Sequence, residues 1–224
     1  MNALLLTLAV AAADPQGSPL ENTDVLVDRD WVAVYAEDAP DRTGRTVRQQ
    51  SRLVLSLRSG ESWESGKAWI FRFPQSGPPQ AWKGFYTVYN DQDDEDNVVV
   101  SLRMTRKYTG RVTPTGVEWD LENRWKPIGV YADLPVTERT IPDSLSLTAR
   151  SAFYVDAKGE PTRRYHEPDG LVDALVNGRQ ENVPSRADFL SKGTTFQFTD
   201  RGAADLLKRL TTKPPSYTPR AQNP

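Results

Sequence analysis

The chain has 224 residues, a length that suits one domain or one domain with an appendage. Its 28 basic and 30 acidic residues are interspersed and give a net charge of −2, which disfavours a nucleic-acid-binding surface. The sequence has no cysteine and one histidine, His166. This composition excludes disulfides, thiolate nucleophiles and a zinc site built from two histidines of one chain.

The chain begins with an apolar run from Ala3 to Ala13. Its length fits the hydrophobic region of a signal peptide and is too short to span a bilayer. We therefore predict that residues 1–13 direct export to the periplasm or the extracellular space and are cleaved after Ala13. The alternative is a retained apolar arm that docks on a neighbouring subunit, in a virion or in the cytoplasm. Residues 14–24, rich in Pro, Gly, Ser and Asn, are expected to form a linker.

Residues 25–213 are predicted to form one β-rich domain, because an apolar–polar period of two dominates them. The strand-like runs are rich in Val, Tyr, Phe and Trp and end at Gly, Pro, Asn or Asp. They cover residues 25–38, 51–59, 67–74, 84–90, 97–108, 116–125, 128–133, 144–157 and 194–200. Without a strand–helix rhythm, the pattern predicts a mainly β fold: an antiparallel β-sandwich or barrel-like domain with a short helical C-terminal part.

The C-terminal helix is predicted near residues 200–213, followed by an extended tail over 214–224. Its apolar stripe comprises Ala203, Leu206, Leu207 and Leu210. A shorter helix is predicted over 169–178, with Gly178 as its C-terminal stop.

The strand-like stretch GVEWDLENRW, residues 116–125, carries three acids at alternate positions: Glu118, Asp120 and Glu122. The opposite face carries Trp119, Leu121 and Trp125. Because the apolar set makes a coherent inward face, we expect the acids to point to solvent. Like charges about 7 Å apart on one face repel each other, so Arg103, Arg106 or Lys107 of the preceding strand is expected to neutralise them.

The letters EWDLE also resemble the ExDxE motif of jelly-roll glycoside hydrolases that cut β-glucans. The resemblance implies that Glu118 is a nucleophile, that Glu122 is an acid/base, and that Asp120 tunes the pair. Retaining hydrolysis needs carboxyl groups about 5–5.5 Å apart, so both glutamates would have to lean toward Asp120.

The loop NDQDDEDN, residues 90–97, is the most acidic feature of the sequence. Asp91, Asp93 and Glu95 alternate as oxygen ligands do in calcium loops, so calcium is the one cofactor that the sequence suggests. The turn glycine and the distal glutamate of an EF-type loop are missing, and a solvated acidic tip that discourages edge pairing is the alternative.

Six tryptophans are present, and Trp31, Trp69 and Trp119 fit inward positions of strands. Trp63 and Trp82 lie in loop-like surroundings, which makes them the candidates for contact with a ligand.

The phosphate-binding patterns GxxxxGK[ST] and GxGxxG and the nucleophile-elbow pattern GxSxG are absent from the sequence. The sequence favours a non-catalytic exported protein with a binding or scaffolding role, whose partner is a protein or a carbohydrate. A virus or phage structural subunit is the first alternative, and a secreted glycoside hydrolase using Glu118 and Glu122 is the second. Homo-oligomerisation is open, and neither nucleic acid nor a transmembrane span is expected.

Overall fold

The computed structural model of the protein describes residues 26–41, 43–90, 97–135, 144–160, 173–176, 179–182 and 195–210. The strands are β1 (Asp30–Pro40), β2 (Thr46–Ser59), β3 (Ser65–Pro74), β4 (Gln80–Asn90), β5 (Asn97–Thr113), β6 (Gly116–Leu121), β7 (Ile128–Pro135), β8 (Ser144–Tyr154), β9 (Asp173–Val176), β10 (Arg179–Asn182) and β11 (Thr195–Thr199). One helix, α1 (Ala203–Leu210), follows them within this part of the chain. The predictions of a mainly β fold and of a short C-terminal helix are confirmed.

Eight strands form a closed antiparallel barrel in the order β4, β3, β2, β1, β11, β8, β7 and β5, and pairing of β4 with β5 closes it. Barrel strands that succeed one another along the chain are neighbours, so the topology is up-and-down. Of the two predicted architectures, a sandwich and a barrel, the structure therefore has the barrel. None of the helices in the described residues is long and apolar enough to cross a membrane.

The predicted helix over 169–178 is wrong, because β9 and β10 pair as antiparallel strands there. Asn177-Gly178 separates the two strands in the sequence, and Asn-Gly between strand-like runs is a hairpin signal. The sequence signal at this glycine is therefore that of a hairpin and not of a helix stop.

The barrel interior is filled by side chains, as expected for eight strands. Alternate residues of each strand point inward. Examples are Trp31 and Ala33 of β1, Leu53 and Leu55 of β2, and Ile70 of β3, all within one buried apolar cluster. This cluster is the main core of the protein.

A second apolar cluster lies outside the barrel wall, beneath α1; we call it the outer cluster. Its buried members are Val32, Val54, Trp69, Phe71, Phe73, Ala81, Tyr108, Ala203 and Leu207. Ala203 and Leu207 belong to the predicted apolar stripe of the helix, and Leu206 packs against the same cluster. The helix thus buries its apolar side on the outward face of the strands.

Strand β5 is long enough to pair with two different strands along one edge. Its residues 97–104 pair with β7 and its residues 108–113 pair with β6, so β6 extends the sheet beyond the barrel. On its other edge, the register to β4 shifts between Lys83 and Gly84, where Thr105 is the extra residue. Such a bulge moves side chains to the other face of the strand, and it places Lys107 directly opposite Trp82 of the barrel core.

One end of the barrel, which we call the closed end, is sealed by apolar residues. Leu26 and Val27, just before β1, are buried there. The indole Nε1 of Trp31 donates to the Leu26 carbonyl oxygen at 2.9 Å, and the Tyr86 hydroxyl donates to the Trp63 carbonyl oxygen at 2.9 Å. The polar atoms of these large side chains are therefore satisfied inside an apolar plug.

Candidate functional site

The opposite end of the barrel interior, which we call the polar end, carries charged and hydrogen-bonding side chains. It lies where β1, β3 and β5 leave the barrel and β2 and β4 enter it. Its main members, which we call the polar network, are Tyr35, Glu37, Ser51, Arg72 and Gln80. The two ends of one filled barrel therefore differ sharply in chemistry.

The strand register places the polar network on the inward face. Tyr35 lies opposite Ser51, and Arg72 lies opposite both Leu53 and Gln80. Because directly paired residues point to the same face, Arg72 and Gln80 share the inward face of Leu53, a residue of the main core. Alternation along the strands extends that face from the core residues to the barrel opening.

Glu37 is the acceptor at the centre of the network. Its carboxylate accepts hydrogen bonds from Ser51 Oγ, from Arg72 Nη2 and from the Tyr35 hydroxyl, the last at 3.3 Å. Arg72 Nη1 donates to Gln80 Oε1 at 3.0 Å. The Glu37 and Arg72 side chains retain 16% and 22% of their exposure, so solvent still reaches this ion pair.

Burial and the neighbouring charges act on the ionisable groups of the network. Burial raises the pKa of Tyr35 to about 12, with Arg72 opposing and Glu37 adding to the shift. The pKa of Arg72 is raised: burial, the largest influence, lowers it, but Glu37 and Tyr35 together outweigh burial. At neutral pH Tyr35 is therefore a neutral phenol and Arg72 keeps its positive charge.

Two polar side chains at this end each hold a buried nitrogen that has no acceptor among the described residues. These nitrogens are Arg72 Nε and Gln49 Nε2. Gln49 is 6% exposed, and its Oε1 accepts from the Ser76 amide and hydroxyl. Unsatisfied buried donors are uncommon in folded proteins and require an explanation.

A second charged group continues the polar end on β5. Lys107 Nζ lies 3.5 Å from Glu122 Oε2, and the other carboxylate oxygen, Oε1, accepts from Thr109 Oγ1. Lys107 Nζ is 5.7 Å from the centroid of the Trp82 ring, within cation–π range. Because Gln80 is paired with Thr109, this group adjoins the polar network across the β4–β5 ladder.

Aromatic rings line another part of the same end. Trp125 and Tyr154 pack, partly buried, against the main core. Lys126 Nζ lies 5.6 Å from the Tyr154 ring centroid, and Tyr35 meets Phe196 edge-to-face at 5.3 Å between centroids. Polar groups therefore lie beside partly exposed rings at one opening of the barrel.

The acidic row of β6 is only partly as expected. Glu118 is opposite Arg111 and pairs with it, and Asp120 is opposite Thr109. Of the three cations predicted to neutralise the row, Lys107 contacts Glu122, whereas Arg103 lies 3.9 Å from Glu160. The reason is register: β6 pairs with the last part of β5, beyond Arg103.

The predicted apolar face of residues 116–125 is not continuous, because its members lie in different environments. Trp119 packs against the outer cluster, while Trp125 packs against the main core. Leu121 is 46% exposed, so its expected inward position is wrong. The strand ends at Leu121 and the chain then turns, with the Trp125 amide donating to the Glu122 carbonyl oxygen, so alternation does not continue to Trp125. The catalytic roles implied for Glu118, Asp120 and Glu122 stay predictions.

The two tryptophans predicted to contact a ligand lie at opposite ends of the barrel. Trp63 is in the β2–β3 connection at the closed end and is partly buried against the core. The loop placement of Trp82 is wrong, because it is in β4 and has 0% exposure. Pro78, Pro79 and Gly84 suggested a loop, but Gly84 is at the bulge inside the strand. The Trp82 ring therefore has no exposed surface that a ligand could contact.

The remaining predicted sites lie outside the described residues. They are the calcium loop of Asp91, Asp93 and Glu95, the apolar run over 1–13, the linker and the tail. Within the part of the chain that the structure describes, no three side chains of His, Cys, Asp or Glu are grouped so that they could hold a metal ion.

Sequence reasoning missed the residues of the polar network. The available signal was polar residues at inward positions of apolar strands: Glu37 two residues after Tyr35, and Arg72 between Phe71 and Phe73. Comparison of the chain with protein-family models, with curated proteins and with solved structures finds no match.

Proposed function

We propose that the protein is a non-catalytic binding protein whose ligand docks at the polar end of the barrel. The observation that carries the proposal is the contrast between the two ends. Side chains fill the interior, and the inward-facing side chains of the closed end form an apolar plug. The polar end offers charged and hydrogen-bonding groups beside partly exposed rings.

The energetics of ion pairs support a role in binding. Charges that leave water lose solvation, and apolar replacements of buried pairs are often neutral or stabilising. Glu37 and Arg72 occupy inward positions that aliphatic residues fill elsewhere in the barrel. Two unsatisfied donors, Arg72 Nε and Gln49 Nε2, lie at the same end. Stability alone would favour apolar side chains at these inward positions.

The proposal includes the exported location expected from residues 1–13. A hydrolase receives less support, because the carboxylates of Glu118 and Glu122 are each held by a cation, Arg111 in one case and Lys107 in the other. A scaffolding role in a particle would instead require assembly, which light scattering measures.

Indole N–H resonances of the six tryptophans can test the proposal. Two tryptophans report on each region: Trp82 and Trp125 on the polar end, Trp31 and Trp63 on the closed end, and Trp69 and Trp119 on the outer cluster. Single Trp→Phe variants assign the peaks. The protein is titrated with neutral oligosaccharides, acidic oligosaccharides, amino acids, nucleotides and short fatty acids.

We expect at least one compound class to shift Trp125 and Trp82 while the other four peaks stay in place. The double variant Glu37→Gln, Arg72→Met should lose the response. The matched control is Asp30→Asn, Arg58→Met, which removes another partly buried ion pair of β1, near the closed end, and should keep it. Shifts confined to Trp31 and Trp63, or no shift with any class, would contradict the proposal.

A further inference from the structure

We infer that the ligand of the polar end is an uncharged carbohydrate; this inference rests on the proposed function and specifies its ligand class. Three features lead to it: internally paired charges, spare hydrogen-bonding capacity, and aromatic rings beside the polar groups.

Three ion pairs lie at the polar end and on the adjoining β5–β6 hairpin. The pairs are Glu37 with Arg72, Glu122 with Lys107, and Glu118 with Arg111. A charged ligand that bound through the Glu37–Arg72 or the Glu122–Lys107 pair would have to separate partly buried charges and leave one of them without a counter-charge, which is unfavourable. A neutral ligand leaves all three intact.

A hydroxyl group can join such pairs without breaking them. A carboxylate has about four acceptor positions and a guanidinium five N–H donors. Glu37 accepts three hydrogen bonds among the described residues, and Arg72 uses Nη1 and Nη2. Gln80 and Thr109 add groups that donate as well as accept. A hydroxyl also donates and accepts, so a polyhydroxylated ligand suits this mixture.

The aromatic rings at the polar end can contact the apolar faces of a sugar ring. Trp125 and Tyr154 are partly buried against the core, which fixes their rings while part of each stays exposed. A sugar ring presents C–H groups on its faces and hydroxyls around its edge, so it can contact an aromatic surface and planar polar groups together. Tyr35 adds a further ring at this end, because it contacts Phe196 and also hydrogen-bonds to Glu37.

Calorimetric titration of the full chain tests the inference. The probes are neutral gluco-, manno-, galacto- and xylo-oligosaccharides, with uronic acid oligomers and free amino acids as charged and zwitterionic comparisons. Retardation in gels containing neutral polysaccharide distinguishes long chains from free oligosaccharides as the source. We expect a neutral series to bind at least tenfold more tightly than the charged probes.

Matched variants locate the binding. Trp125→Ala should weaken it at least tenfold, whereas Trp63→Ala, a partly buried tryptophan of the closed end, should change it less than twofold. Glu37→Gln, Arg72→Met provides a second test that does not depend on an aromatic residue. If charged probes bind and shift Trp125 while neutral sugars do not, the ligand class is wrong and the proposed function stands. If no probe binds, or Trp63→Ala and Trp125→Ala weaken binding equally, both fail.

Discussion

The two ends of the barrel interior are filled by different kinds of side chain. At the closed end, the Trp31 indole and the Tyr86 hydroxyl donate to backbone carbonyl oxygens within an apolar plug. At the polar end, Glu37 and Arg72 occupy the inward positions and remain partly exposed. The first arrangement excludes water from the core, whereas the second keeps polar groups within reach of solvent.

This difference indicates a division of roles. Burial of a large aromatic side chain stabilises the fold by several kcal/mol. Replacement of a largely buried ion pair by uncharged residues is often neutral or stabilising, so the Glu37–Arg72 pair should contribute little to stability. Folding stability should therefore depend mainly on the closed end, and recognition of a ligand on the polar end. Variants at matched positions can break or sharpen this contrast.

The largest effect is expected from Trp31→Ala. The side chain is fully buried and satisfied, so we expect a loss of about 3–5 kcal/mol in the free energy of unfolding, from lost burial and a cavity. Urea denaturation followed by the fluorescence of the remaining tryptophans measures it. Trp125→Ala should cost less than half as much, and equal losses would argue against the division.

A smaller loss is expected from Gly84→Ala at the bulge. A Cβ atom there would lie 1.9 Å from the Arg103 carbonyl oxygen, so the paired backbone must shift, at about 1–3 kcal/mol. Because the bulge sets the face of Lys107, affinity at the polar end should fall too. Gly44→Ala is the control: its φ is +82° with nothing within 4 Å of the new Cβ, so only strain of about 1 kcal/mol is expected. If folded Gly84→Ala binds the ligand with unchanged affinity, the bulge does not contribute to the binding site.

Tyr35→Phe should have a modest effect at neutral pH, about 0.5–1.5 kcal/mol for one hydrogen bond. Its alkaline behaviour is more specific. The folded pKa of Tyr35 is raised to about 12 from its ordinary value of 10.0, so the folded protein keeps a proton that the unfolded chain loses above pH 10. The stability from this group is complete below pH 10 and is lost as pH rises toward 12.

Urea midpoints at pH 7, 9.5 and 11 measure this dependence. Tyr35→Phe should flatten the decline between pH 9.5 and 11. Tyr86→Phe should do the same at the closed end, because burial also raises the pKa of Tyr86. An equally steep decline in Tyr35→Phe would contradict the buried environment assigned to Tyr35.

Strand positions could be predicted from the sequence because alternation is local. The run over 51–59 lies within β2, and the run over 128–133 lies within β7. Barrel closure could not be predicted, because it depends on the long-range pairing of β11, near the end of the chain, with β1. The bulge that moves Lys107 to the inward face leaves no signal in a two-residue period.

The same limit of local periodicity explains why the environments of the tryptophans and the polar network could not be predicted. Trp31 and Trp69 are both buried at strand positions, yet one faces the main core and the other the outer cluster. Periodicity identifies a buried face but not the side of the barrel wall on which it lies. Glu37 and Arg72 are far apart in sequence, and only the barrel register brings them together.

The most direct test of the division between the two ends is the free energy of unfolding of the double variant Glu37→Gln, Arg72→Met. The variant removes both charges together, and the amide oxygen of the introduced glutamine can still accept from the Ser51 hydroxyl. We expect a stability within about 1 kcal/mol of the original protein, together with loss of ligand binding. A loss of more than about 3 kcal/mol, the range for breaking a buried pair, would show that the network serves folding and would contradict its assignment to binding.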